Sequence, residues 1–582
     1  MTLFNNLSWF FREHWRTYLV ALLMLAGVAM LNLAVPYLIG LAIDELITAT
    51  ETTTAETDIR PYLLALFVLG IGVYALRYGW RLILFGTSYR LGSILRARFY
   101  QRLCKQGQAF YSINSTGDLM ARATNDVDAI ELAAGEGVLS GFDGLLTFIL
   151  VLIIMFAVID WRLTLVALMP FPVMAWAFHR ISRSVHQHFQ QALDCFSRLN
   201  QKTQEALSGI RLVKAMGREE IESQAFSSIS EQAADSNYRV AQAEACYDPV
   251  IHVCLSTALL FTMSYGTWLI WQQQLSIGQL ASFTMYLGQL IWPMFAFGWL
   301  LNIVERGSAA FKRVDQLLKT ADTINDKAVL TPTGAELRVR NLTFSYPNSH
   351  TATLNQLSFD LPAGKVLAIV GPTGSGKTTL IQLLMRQWQS EPDMILMDGL
   401  ALSQYSLKAL RDQYAYVPQD SFLFSISIAE NIALTSPSAS QDEIEAVAKI
   451  ACIHQDILSF PEAYQTQVGE RGVTLSGGQR QRICIARALL SKAPVLILDD
   501  ALSAVDVHTE QQIITHLKDS RNEQSSIIIS HRLSAVEHAD ETLVLTHGCL
   551  QQQGNHDQLI TQDGWYSRMW TYQRMEARLE ET

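Results

Sequence analysis

Six long windows poor in charge, all within the first 304 residues, constrain this chain more than any other feature. A bilayer core takes about 20 mostly apolar helical residues. Residues 17–43 carry no charge at all. Five further windows follow at 61–86, 137–159, 162–180, 248–272 and 277–304. The predicted fold class is therefore an α-helical transmembrane domain of six spans. The whole 582-residue chain is only 17% charged, against about 25% in an ordinary soluble protein. The deficit lies in the first half, so a soluble half is attached to a membrane half.

The links between spans two and three and between four and five carry most of the early Lys and Arg, from Arg90 to Arg122 and from Arg183 to Arg239. Positive residues stay cytoplasmic, so both termini are expected in the cytosol. The opposite loops are short or acidic, with Asp44, Glu45, Glu51, Glu56 and Asp58 against Arg60. Both long links read as helical, with few Gly or Pro breakers. Spans two to five are expected to continue beyond the bilayer and to turn near Ser115–Asp118 and Ser208–Gly209. The N-terminus is amphipathic and aromatic, and no cleavable signal peptide is read there. Intramembrane charge is costly and marks a functional hypothesis by default; Arg77, Arg81, Asp143, Asp248 and His252 are read either as lying near span ends or facing a water-filled interior without contacting substrate, or as functional groups. Trp292 and Phe295 are read as packing residues in preference to an aromatic cage for a drug-like cargo.

Net charge is −10, which argues against a general nucleic-acid binder. Seven scattered cysteines without metal-ligand spacing read as reduced thiols.

The composition changes after Leu330. Residues 321–335, including Thr331-Pro332-Thr333-Gly334, read as a linker between a membrane domain (1–320) and a soluble domain (336–582). Strands then alternate with helices, predicting an α/β domain with a mainly parallel sheet. The run from Lys365 to Thr379 is a strand, a Gly-rich loop and a helix start. Gly371, Pro372, Thr373, Gly374, Ser375, Gly376, Lys377 and Thr378 fit the G-x-x-x-x-G-K-[ST] phosphate loop. Its N–H groups curl around phosphate, Lys377 adds a point charge, and Thr378 offers a hydroxyl to Mg²⁺. Downstream, Val495-Leu-Ile-Leu-Asp499 is a buried strand ending in a carboxylate suited to the Mg²⁺ shell. ATP and Mg²⁺ are the expected ligands.

Leu475-Ser476-Gly477-Gly478-Gln479 matches the signature of ABC-transporter ATPases, and here the chain resembles that family over essentially its whole length. The resemblance implies an ABC exporter half-transporter of the multidrug and lipid type, a P-loop ATPase fused to six spans. It looks most like the bacterial MdlA-type half, which pairs with an MdlB-type half. It further implies that Tyr346 stacks on adenine, and that Thr379 completes the phosphate-binding set. Gln419 becomes the glutamine that contacts Mg²⁺ and water, joining Thr378 and Asp499 as metal ligands. Ser503-Ala-Val-Asp506 becomes the D-loop, His531 the switch histidine, and residues 468–472 the cross-talk loop. Ser476, Gly477, Gly478 and Gln479 would bind the nucleotide held by a second half-transporter.

One residue departs from the family. Glu usually follows the second acidic strand's aspartate, and here it is Asp500. Asp is one methylene shorter, so its carboxylate should fall short of the attacking water by more than about 1 Å, which can cost about a hundredfold in rate. The resemblance then implies slow hydrolysis at this chain's own site and a different partner chain carrying the Glu. The expected activity is ATP-driven export of hydrophobic or amphiphilic compounds across the bacterial inner membrane. Membrane lipids and hydrophobic cargo are the other expected contacts. The alternatives are a homodimeric lipid or peptide translocator, or a nucleotide-gated regulatory subunit without transport.

Overall fold

The computed structural model describes every residue except 1, 53–58, 325–327, 329, 333, 348, 350, 392, 470–474, 521–523 and 581–582. It divides into two compact units. One comprises Met1–Arg102 with Gly117–Thr320, the other Leu103–Thr116 with Ala321–Thr582. The helix Gln108–Ile113 therefore belongs with the soluble unit, although the chain before Leu103 and from Gly117 onward belongs to the membrane unit.

Among the described residues, six helical runs are long and apolar enough to cross a membrane. The second is one helix, Arg60–Cys104, of 45 residues. At 1.5 Å per residue it is about 68 Å long, roughly twice a bilayer core. The fourth and sixth runs break near prolines: Trp161–Leu168 gives way to Phe171–Ser208 at Pro170, and Ile277–Gln289 to Ile291–Lys319 just before Pro293.

Pro36 lies inside the first helix, Trp15–Thr52, where its missing N–H leaves the carbonyl of Asn32 without its usual partner. Side chains of the last span cover this stretch of backbone. Gln289 Nε2 donates to Asn32 O at 3.3 Å, Tyr286 OH to Leu33 O at 2.5 Å, and Ser282 Oγ to Pro36 O at 2.8 Å. About two turns further along the first helix, Asp44 accepts from Ser276 Oγ at 2.5 Å and Gly278 N at 2.7 Å, capping the start of the helix Ile277–Gln289. The two backbones touch there: a Cβ on Gly278 would lie 2.0 Å from Gly40 O. The amphipathic N-terminus forms two short helices, Thr2–Asn6 and Ser8–Glu13, with Leu3, Leu7 and Phe10 buried. Arg98 lies 4.1 Å over the Trp9 ring.

Among the described residues the soluble unit holds ten strands: β1 (Leu337–Phe344), β2 (Leu354–Leu361), β3 (Val366–Val370), β4 (Ile395–Met397), β5 (Leu400–Ala401), β6 (Tyr414–Val417), β7 (Val495–Asp499), β8 (Ser525–Ile529), β9 (Glu541–Thr546) and β10 (Cys549–Gly554). An antiparallel sheet runs β2-β1-β4-β5. The larger sheet runs β10-β9-β3-β8-β7-β6 and is parallel except for β10. Its central strands read VLAIV, VLILD and SSIII because both faces are covered. Val495 and Ile497 join the core against the small sheet, while Leu496 and Leu498 join the core against the helices.

Candidate nucleotide site

Strand register brings four sequence-predicted elements to one edge. Ile369 of β3 pairs with Ile529 of β8, Asp499 of β7 with the same Ile529, and Val417 of β6 with Leu498. All four strands are parallel, so Gly371, His531, Asp500 and Gln419 each follow a carboxyl end within two residues of it. This is where open α/β sheets bind ligands.

The phosphate loop connects β3 to the helix Lys377–Leu384. Gly371, Gly374 and Gly376 have φ of +147°, +81° and +95°, conformations open to glycine and costly for other residues. Lys377 Nζ donates to Gly371 O at 2.8 Å and Pro372 O at 3.0 Å, so its charge lies over the loop. Burial pushes its pKa down, while Asp500 and Asp499 pull it back up. Ser375 Oγ is buried within the loop with no hydrogen-bond partner. An orphaned hydroxyl there is costly unless a ligand oxygen satisfies it, which fits a phosphate cradle.

Asp499 is 1% exposed. Its Oδ1 accepts from Thr378 Oγ1 and its Oδ2 from Tyr416 OH, both at 3.3 Å. Burial raises its pKa, and the two hydroxyls oppose the rise. A carboxylate and a hydroxyl side by side are the hard oxygen donors Mg²⁺ prefers, so these residues fit that ion. Gln419 is exposed beyond the end of β6. Tyr346 is half-buried; Phe344 and Trp388 pack edge-on to its ring, and its hydroxyl shares a 2.9 Å hydrogen bond with Thr379 Oγ1.

Asp500 has φ of +50°, in the left-handed region where Asp is enriched. Its N–H donates to Ile529 O at 3.0 Å, and its carbonyl accepts from Ser503 Oγ at 2.9 Å. His531 is half-buried, and its carbonyl accepts from Gln573 Nε2 at 2.8 Å.

The signature residues form a second cluster at the start of the helix Gly477–Leu490. Ser476 and Gln479 make a reciprocal capping box, and Gln479 Nε2 donates to Asp456 at 3.1 Å. Gly478 is in close contact with the D-loop: a Cβ there would lie 2.8 Å from Ala504 O. Of the cross-talk loop, residues 470–472 lie outside the described residues.

Three contributors were not visible in the sequence motifs. Tyr416 holds Asp499 from three residues before Gln419. Gln481, two residues past the signature, accepts from Ala504 N at 2.9 Å and donates to Ser503 Oγ at 3.1 Å. A hydrogen-bonded path thus runs from the signature helix through Ser503 to Asp500. Arg532 pairs with the buried Glu510 and donates to Val505 O at 3.1 Å, fixing the other side of the D-loop. No local motif announces any of these, since each depends on elements distant in sequence.

Residues 18–294 match the ABC transporter transmembrane region and residues 354–503 the ABC transporter ATPase model. The chain belongs to the ABC transporter family. It is 46% identical over 582 residues to the multidrug resistance-like ATP-binding protein MdlA of Escherichia coli, covering 100% of this chain and 98% of that one. It is 34% identical over 477 residues to the ATP-dependent lipid A-core flippase of Photobacterium profundum, covering 82% and 81%. A bacterial Atm1-family ABC exporter with ATP bound superposes with a TM-score of 0.79 at 25% identity, covering 96% of this chain and 98% of that one. The chain is therefore a multi-pass half-transporter of the exporter type, whose ATPase domain couples ATP hydrolysis to transport.

Proposed function

We propose that the chain is one half of an asymmetric heterodimeric exporter of hydrophobic or amphiphilic compounds. Its own phosphate-loop site hydrolyses slowly, and a different partner chain supplies the catalytic Glu. The observation that carries this reading is Asp500, on a backbone pinned to Ile529 and Ser503, where the family's base has one more methylene. The intact signature cluster supports the other half of the argument: this chain is equipped to complete its partner's site. The names of the similar proteins support a multidrug or lipid cargo.

Lys377 and the Gly371–Gly376 loop bind the phosphates, and Tyr346 contacts the base. Thr378, Asp499 and Gln419 would hold Mg²⁺, which on binding neutralises phosphate charge. His531 and Gln419 orient the attacking water, while Asp500 stands in the base position without its full reach. Ser476–Gln479 reach the nucleotide held by the partner, so nucleotide binding draws the two ATPase domains together. The helix Ile210–Met216 has no buried residue and exposes Ile210, Leu212 and Met216. An apolar surface at the tip of a helical hairpin is suited to docking on a partner's ATPase, which would pass closure to the spans. The excess of Lys and Arg in the long links supports cytosolic termini and ATPase in a bacterial inner membrane.

Lys377→Ala tests the site. A fluorescent ATP analogue should bind the variant at least tenfold more weakly; unchanged binding would overturn the phosphate-loop reading. The two-chain reading is tested by turnover of the chain alone and with a candidate partner.

A further inference from the structure

The loop that carries His531 runs from the end of β8 at Ile529 to a single 3₁₀ turn, Leu533–Ala535. Among the described residues the His531 imidazole has no hydrogen-bond partner of its own. The backbone that bears it therefore sets where it points. On one side that backbone is tied to the D-loop segment. Asp500 N–H donates to Ile529 O at 3.0 Å, and Arg532 pairs with Glu510 and donates to Val505 O at 3.1 Å. Arg532 N–H also donates to Ser530 Oγ at 2.9 Å.

The other side is held by one side chain from 42 residues away. Leu533 N–H donates to Gln573 Oε1 at 2.9 Å, and Gln573 Nε2 donates to His531 O at 2.8 Å. A single planar amide thus bridges the peptide groups on both sides of Arg532. Leu533 is fully buried, and its N–H opens the 3₁₀ turn, where the first N–H groups find no partner within the turn. Only an amide of this length suits the position. A carboxylate offers no donor to the His531 carbonyl, and Asn is one methylene short.

Packing delivers Gln573 to this place. It lies on the helix Trp565–Glu580, where Tyr566, Met569, Trp570 and Gln573 share one face at helical spacing. Tyr566 is fully buried, and its hydroxyl shares a 2.7 Å hydrogen bond with His556 Nδ1. Trp570 packs edge-on against the same imidazole, with ring centres 4.6 Å apart. Met569 and Trp570 lie on the core cluster that contains Leu533 and Val536. The helix is thereby fixed against the core beside the His531 loop, and its next turn presents Gln573. Beyond it Arg574, Met575 and Glu576 are exposed.

We infer that Gln573 is a positioning residue for His531, which makes the helix Trp565–Glu580 part of the hydrolytic machinery of this chain's own nucleotide site. The inference rests on the reading of His531 as a group that orients the attacking water. Without the amide, the His531 carbonyl and the Leu533 N–H must turn to water, because a buried backbone group left unpaired is costly. The loop then shifts. A misplacement of about 1 Å can cost about a hundredfold in rate, and a loop still held through Arg532 should lose about tenfold.

The test is Mg²⁺-ATP turnover of the full chain in nanodiscs, in whichever of wild type and Asp500→Glu turns over faster. Gln573→Met keeps the side-chain length and loses both hydrogen bonds. Its kcat should fall about tenfold with KM for ATP unchanged, since the phosphate loop and Tyr346 are untouched. His531→Ala should cost at least as much. Adding Gln573→Met to His531→Ala should then cost nothing further, because both changes act through one group. Undiminished kcat in Gln573→Met would overturn the inference, and so would losses that multiply in the double variant, which mark a merely structural amide. Hydrogen exchange of the nucleotide-free chain needs no turnover. In Gln573→Met the Leu533 amide should exchange at least tenfold faster while β3 and β7 keep their protection. Unaltered exchange at Leu533, or faster exchange throughout the soluble unit, would also overturn it. Fast exchange at Leu533 with normal kcat in His531→Ala would instead overturn the reading of His531, and leave the clamp standing without a catalytic role.

Discussion

Replacing Asp500 with Glu should accelerate ATP hydrolysis by this chain, and the one-methylene difference in reach sets how much. The backbone at Asp500 cannot advance to compensate for the shorter side chain. Its N–H is bound to Ile529 O at 3.0 Å and its carbonyl to Ser503 Oγ at 2.9 Å. Each such bond is worth about 1 kcal/mol net. Moving the residue by 1 Å would weaken both and so consume most of the benefit. On the proposed reading the carboxylate then stays more than about 1 Å short of the attacking water, a displacement worth about a hundredfold in rate, or ~2.7 kcal/mol of barrier. The assay is Mg²⁺-ATP turnover of the purified chain in lipid nanodiscs, wild type beside Asp500→Glu and Asp500→Asn. Asp500→Glu should raise kcat about a hundredfold with KM for ATP little changed, because the added reach acts on the transition state. Asp500→Asn should differ little from wild type if Asp500 is too short to act as a base. Wild-type turnover of about 1 s⁻¹ or more, within the ordinary enzyme range, with no gain from Glu would refute the reasoning and favour a self-sufficient homodimer.

Two further outcomes follow from close backbone contacts. Gly478→Ala sets a methyl 2.8 Å from Ala504 O, on a loop that Gln481 and Arg532 hold from both sides. ATP turnover of the assembled two-chain transporter should fall at least tenfold, measured by phosphate release; normal turnover would refute the importance of that contact. Gly278→Ala forces a methyl to within 2.0 Å of Gly40 O and disturbs the Asp44 cap. Overpacking of this kind typically costs about 1–3 kcal/mol, so thermal unfolding in detergent should shift downward. An unshifted transition would mean that the first and last spans do not depend on this contact.

The sequence by itself determined the architecture and the chemistry of the nucleotide site. Bilayer thickness turns an uncharged stretch such as residues 17–43 into a span whatever its neighbours do. A phosphate loop works through its own backbone, so contiguous residues from Gly371 to Thr378 suffice to specify it. Asp500 was legible for the same reason, as one substitution inside a short motif. Only the tertiary structure decided what holds these pieces in register. Tyr416 reaches Asp499 because β6 and β7 are adjacent strands, and Gln481 reaches Ser503 because the signature helix packs on the D-loop. Gln289, Tyr286 and Ser282 meet the backbone around Pro36 across some 250 residues of chain. The indoles of Trp292 and Trp299, which donate to Asp143 at 3.2 Å and to Glu136 at 3.3 Å between the third and last runs, are of the same kind. An isolated acid or tryptophan in an apolar window carries no information about its partner, and only the antiparallel packing of two helices brings the four into one face.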